Sequence, residues 1–278
     1  MSLWYPAFPG ADWSETYKAL KRFDILFVPG GDPGGREPAE FFPIVREHAR
    51  LAREFFPNIE VWVSSQFGLA TSPDLGLTPW APKEKLDRWY KEVEANQDLL
   101  TGVVYGPWTA DTSKQFRERV PAKIPIRDYP DLCHNLRSQY PCGPSWDFPF
   151  AATYNRESIN PRPIYYAAAF EHEMPWCEYG SGCYSEGCGD DVNKHIWSAL
   201  LWGPSDVKTI MEDYAAWYIG DKRAADLILA LEQNWMKPLI SGVVIDTLKS
   251  TVALLGELPG CITRNWRWQA NDLFPRGL

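Results

Sequence analysis

The sequence has no apolar run long enough to span a bilayer, which argues against a membrane helix. Its first residues, Met1-Ser2-Leu3-Trp4-Tyr5-Pro6, offer neither a basic n-region nor an apolar h-region, so no signal peptide is expected and a cytoplasmic location is. Basic residues are the minority, 28 against 36 acidic, for a formal charge of −8. A partner rich in phosphate needs a basic face, so nucleic acid is not expected. No block of like charges marks a membrane-surface patch or an interaction tail. Six cysteines in 278 residues are too few for a disulfide scaffold. Cys183 and Cys188 near His134 or His172 match no zinc spacing, so neither a metal nor any other cofactor is expected. Gly-x-Ser-x-Gly is absent, and Glu171-His172-Glu173 lacks the second His of a zincin helix. The glycine-rich segment at 30–35 lacks the Gly-Lys-Ser/Thr ending of a phosphate loop.

Aromatic residues are plentiful, with 14 Trp among them. Flat rings fill cores and also suit the apolar C–H faces of sugars. From residue 23 to 135 a unit recurs: an apolar run, a polar knot, then a helical stretch. The runs are 23–28, 59–63, 100–104 and 124–126, with Leu3-Trp4-Tyr5 and Gly182-Cys183-Tyr184 as further strand candidates. Helical spacing covers 38–55, 83–97 and 112–119, and a further helix is expected over 164–173. Strands alternating with helices imply parallel pairing, and uninterrupted apolar runs imply strands buried on both faces. From residue 190 the pattern is helical. Asp190 or Asp191 is positioned to cap one helix, and Ser205 or Asp206 the next.

Each strand delivers its polar residues just after its apolar run: Asp32, Gln66, Tyr105, Asp128 and Asp131. Ligands of parallel β/α folds gather at the carboxyl ends of strands, so this succession predicts one functional face.

Several segments resemble a family of bacterial glycoside-hydrolase-like proteins built on (β/α)8 (TIM) barrels. They are the runs 27–34 (VPGGDPG within it), 61–66 (VWVSSQ), 102–107 (GVVYGP), 126–131 (IRDYPD), 159–163, and 184–198, which opens on Tyr184-Ser185-Glu186-Gly187-Cys188. The resemblance implies an α/β fold of the TIM-barrel type, incomplete at the N-terminus because this chain begins where the family's third strand would be. It implies a barrel portion over 1–189, followed by a C-terminal helical region over 190–278. A barrel edge left open by absent strands invites pairing, so self-association is expected.

Glycosidic bonds are commonly cleaved between two carboxyl groups. Glu186, after a short strand and hemmed by aromatics, is the expected acid/base, with Asp32 or Asp128 completing the catalytic set. Asp32 sits in a Gly/Pro-rich loop that lets backbone approach a ligand closely. Arg127 is suited to grip a substrate carboxylate through its bidentate fork, as in a uronic acid, or else to pair with a neighbouring Asp. Gln66, Tyr105, Trp108, Asp131, His134, Tyr184, Asp190 and Asp191 complete the expected carbohydrate-binding set. Two rival readings stand beside the hydrolase: a carbohydrate-binding protein without turnover, and a metal-dependent hydrolase using His134 with the strand-end aspartates.

Overall fold

A computed structural model describes residues 2–4, 13–30, 36–66, 83–106, 109, 111–132, 161–184, 191–235, 249 and 253. They fall into two compact units. The first comprises Met1–Pro130 with Glu173–Gly182, and the second Asp131–His172 with Cys183–Leu278.

The first unit is built on five strands: β1 (Ser2–Trp4), β2 (Ile25–Pro29), β3 (Glu60–Ser64), β4 (Gly102–Tyr105) and β5 (Ile126–Asp128). All neighbours pair in parallel, in chain order β1-β2-β3-β4-β5. This corrects the expected eight-stranded barrel: the described residues form a small parallel sheet of an α/β fold. The 182–184 segment, expected as a strand, contributes one isolated bridge, Tyr184 to Asp131, and the neighbouring Ser181 makes another to Asp128.

Helices α1 (Ser14–Ala19), α2 (Pro38–Phe55), α3 (Lys83–Ala95) and α4 (Ser113–Arg119) join the strands. Right-handed crossovers in a sheet of monotonic order put every connecting helix on one face. Burial follows that rule. Leu26, Val28, Val61, Val63, Val103, Tyr105 and Ile126 alternate onto one side, where they share a core with Phe41, Phe42, Val45 and Ala49 of α2 and Leu86, Trp89 and Val93 of α3. Each such side chain contributes about 1.5–3 kcal/mol when fully buried. Pro38 starts α2, where its missing N–H costs nothing. Thr112 and Gln115 form a reciprocal capping box on α4.

The second unit contains α5 (Pro163–Glu173, whose last residue belongs to the first unit), α6 (Asp191–Trp202), α7 (Val207–Tyr218) and α8 (Ala224–Trp235). Its core gathers Leu132, Tyr166, Trp197, Ile210, Met211, Tyr214 and Ile228. Asp206 caps α7 by accepting from Thr209 N at 3.0 Å. Gly220, at φ +87°, ends it, its N–H donating to Ala215 O at 2.8 Å. Glu232 of α8 caps α5 from a distance: Ile164 N and Tyr165 N donate to its two oxygens at 2.7 and 2.8 Å. No helix among the described residues is long and apolar enough to cross a membrane.

Candidate functional site

Two features of the first unit carry chemistry: the carboxyl edge of the sheet, and the face turned away from the helices. The edge begins with Ser64, Ser65 and Gln66, all buried. Gln66 sits at φ +45°, a left-handed backbone that a non-glycine residue adopts at a cost of about 1–2 kcal/mol. Its Oε1 is buried and has no hydrogen-bond partner among the described residues, and the same holds for Ser64 Oγ. Ser65 Oγ meets Thr109 Oγ1 at 3.3 Å, and Thr109 Oγ1 accepts from Gly106 N at 3.1 Å, which ties the ends of β3 and β4 together.

At the end of β5, Asp128 is fully buried. Ser181 Oγ donates to its Oδ2 at 2.9 Å, and the buried Glu173 carboxyl also engages its side chain. Two carboxyls in contact away from water share a proton rather than ionise together. Burial pushes Asp128 well above the usual carboxylate range, against the Ser181 hydroxyl, the Tyr129 N–H and Glu173, which favour its ionised form. The buried Cys177 thiol is pushed up too, by burial first and then by the Asp128, Glu173 and Glu178 charges. The pair fixes a return segment on the edge of β5. Tyr179 N donates to Ile126 O, Asp128 N to Gly180 O, and Gly182 N to Asp128 O, all at 2.9–3.0 Å.

The second face of the sheet is aromatic and charged. In register, Trp62 lies opposite Gly102, and Ser64, Val104 and Arg127 form one row across β3, β4 and β5. A Cβ on Gly102 would meet the Trp62 ring at 2.3 Å, so the indole packs directly against β4 because that residue is glycine. Trp62 Nε1 donates to Glu60 Oε2 at 2.8 Å. The Arg127 guanidinium stacks 4.3 Å from the Trp62 ring and 5.5 Å from the Tyr179 ring. Phe27 of β2 meets Tyr129 edge to face, with centroids 5.9 Å apart. Three strand spacings separate those strands, ~14 Å across a flat sheet. The sheet is therefore curved, with this face concave.

The expected site residues divide accordingly. Arg127 and Asp128 do not form the ion pair their adjacency suggested, because the strand pleat sends neighbours to opposite faces. Tyr105 points into the helix-side core, its hydroxyl donating to Asp111 O at 3.3 Å. Asp131 and Tyr184 belong to the second unit, where their residues bridge in parallel and Leu132 N donates to Tyr184 O. Asp191 begins α6 and accepts from the Tyr214 hydroxyl at 2.7 Å. Asp32, Trp108, His134, Glu186 and Asp190 lie outside the described residues. Among the described residues, no group of three or more His, Cys, Asp or Glu side chains is arranged to hold a metal.

Sequence reasoning missed Glu173, Ser64 and the Trp62–Gly102 contact. Trp62 read as core filler and Gly102 as one residue within the 100–104 strand. The one available signal was the buried-strand serine pair Ser64-Ser65, polar residues where only apolar ones were needed.

No family model matches the chain, and neither a curated protein nor a solved structure matches it.

Proposed function

We propose that the protein is a glycoside hydrolase that holds its sugar against the concave face and carboxyl edge of the parallel sheet. The observation that carries this reading is the composition of that face. A sheet face that needed only core would carry no cation and no orphaned polar atoms; this one sets Arg127 among Trp62, Tyr129 and Phe27 on a curved surface beside Ser64 and the strained Gln66. Aromatic planes with a few polar groups among them are what carbohydrate recognition uses. Strained backbone persists where surrounding structure enforces it, commonly at ligand sites.

The sequence-based candidates for acid/base and second carboxylate, Glu186 and Asp32, lie outside the described residues and are tested by substitution. Asp128 has no exposed surface, so it positions the end of β5 through Ser181 and Glu173 rather than touching the sugar. The test is reducing-end release from a panel of neutral and acidic oligosaccharides. Glu186→Gln is expected to lower turnover by roughly 100-fold or more, the usual worth of a general acid, with the circular dichroism unchanged. Turnover that survives this substitution intact removes Glu186 from the mechanism. A second reading, sugar binding without turnover, is favoured by one observation. The carboxylate described on the concave face, Glu60, is occupied by Trp62 Nε1. It predicts saturable binding and no product from any glycan.

A further inference from the structure

Arg127 is a half-buried cation whose guanidinium forms no hydrogen bond and no ion pair within 4 Å among the described residues. Its contacts are the faces of Trp62 and Tyr179. The acid on the same sheet face, Glu60, accepts from the Trp62 indole and acts on Arg127 through its charge, without a hydrogen bond to it. A partly desolvated guanidinium whose protein contacts are ring faces presents its N–H edge to an acceptor that arrives from solution. Stacking against rings satisfies the flat faces of a guanidinium and leaves its edge free for in-plane acceptors. The acceptor that matches this edge is a carboxylate, planar and bidentate. Around it, the half-exposed Tyr179 ring supplies a face for the C–H side of a sugar. Ser64 Oγ, also without a partner among the described residues, lies on the same row two strands away, ~10 Å by strand spacing.

We propose that Arg127, stacked on Trp62 and Tyr179, is the subsite for the carboxylate of an acidic sugar, so that the ligand is a uronic acid or a chain containing one. This rests on the carbohydrate reading above and names the substrate class for the same face. Exchanging Arg for Lys at such a seat keeps the charge and loses the fork and the stack.

The test is calorimetric titration with glucuronate, galacturonate and mannuronate, each against its methyl ester, which keeps the ring and removes the charge. At least one acid is expected to bind roughly tenfold or more tighter than its ester, the worth of a charged hydrogen-bonded pair. Arg127→Gln and Arg127→Lys, both checked for intact circular dichroism, are expected to erase that preference. The proposal is overturned if no acid outbinds its ester, or if either well-folded variant keeps the preference. It is equally overturned if inorganic sulfate displaces the acid as effectively as the acid displaces itself, since the seat is then generic for anions. A preference for acids with no hydrolysis of any glycan leaves the subsite standing and ends the hydrolase reading. Hydrolysis of neutral glycans without an acid preference does the reverse.

Discussion

Replacing Gly102 with alanine sets a methyl group where the Trp62 indole lies. The new carbon would stand 2.3, 2.5 and 2.7 Å from three ring carbons, where ordinary carbon contacts are about 3.5–4.0 Å. Relief therefore requires a displacement of about 1 Å or more. Trp62 cannot swing aside freely: it is buried, its Nε1 is bonded to Glu60, and Arg127 stacks on its face. Overpacking a tight core costs about 1–3 kcal/mol, and loosening the indole hydrogen bond adds up to ~1 kcal/mol. Against this, alanine recovers about 0.5–1 kcal/mol of chain entropy. The net expectation is a loss of about 2 kcal/mol, measured by urea unfolding with near-ultraviolet circular dichroism as the reporter of aromatic packing. Trp62→Leu should relieve the clash, so the double variant should lose less than the two single losses summed. A Gly102→Ala protein within ~0.5 kcal/mol of wild type, with additive behaviour in the double variant, would refute the packing described for this face.

Burial pushes the Glu232 carboxyl up to about 7 from 4.5, against Ile164 N–H, Tyr165 N–H and Arg162, which favour its charge. A raised carboxylate favours folding while protonated, so its contribution is complete below pH 4.5 and lost as pH rises through 7, up to ~3 kcal/mol. Thermal unfolding of wild type and Glu232→Gln across pH 4 to 8 should converge in their trend only if this is wrong: the variant is expected to decline less with rising pH. Asp128→Asn, which has no proton to lose, should likewise flatten the loss of stability above the ordinary carboxylate range, read by urea unfolding at several pH values. Thr112→Ala removes a capping box and should cost about 1 kcal/mol, with hydrogen exchange rising in α4 before its neighbours.

Local order was legible from the chain itself. The runs at 23–28, 59–63 and 124–126 appear as β2, β3 and β5 within a residue or two, and the 38–55 pattern is α2 in full. Period and composition decide such elements, because each residue's face is set by its own neighbours. Strand number was not legible. It depends on whether segments such as 182–184 find a ladder, and that is a tertiary matter: here the edge of β5 is taken by residues 179–182 through backbone bonds that no side-chain pattern encodes. The site divided in the same way. Arg127 and Gln66 stood out by type and place, and both carry unsatisfied polar chemistry in the fold. Glu173 did not, because its meaning comes from Asp128, 45 residues earlier in the chain. Tyr105 illustrates the opposite error: a strand-end polar residue whose pleat parity turns it into the helix-side core.

The central claim is that sugar binds the concave face and carboxyl edge of the sheet, and ligand-dependent hydrogen–deuterium exchange tests it most directly. With the tightest-binding oligosaccharide of the panel at saturation, protection is expected in residues 60–66, 102–106 and 126–129 and in the return segment 179–182. Protection confined to the helices of 191–235, with those strand ends unchanged, would contradict the account.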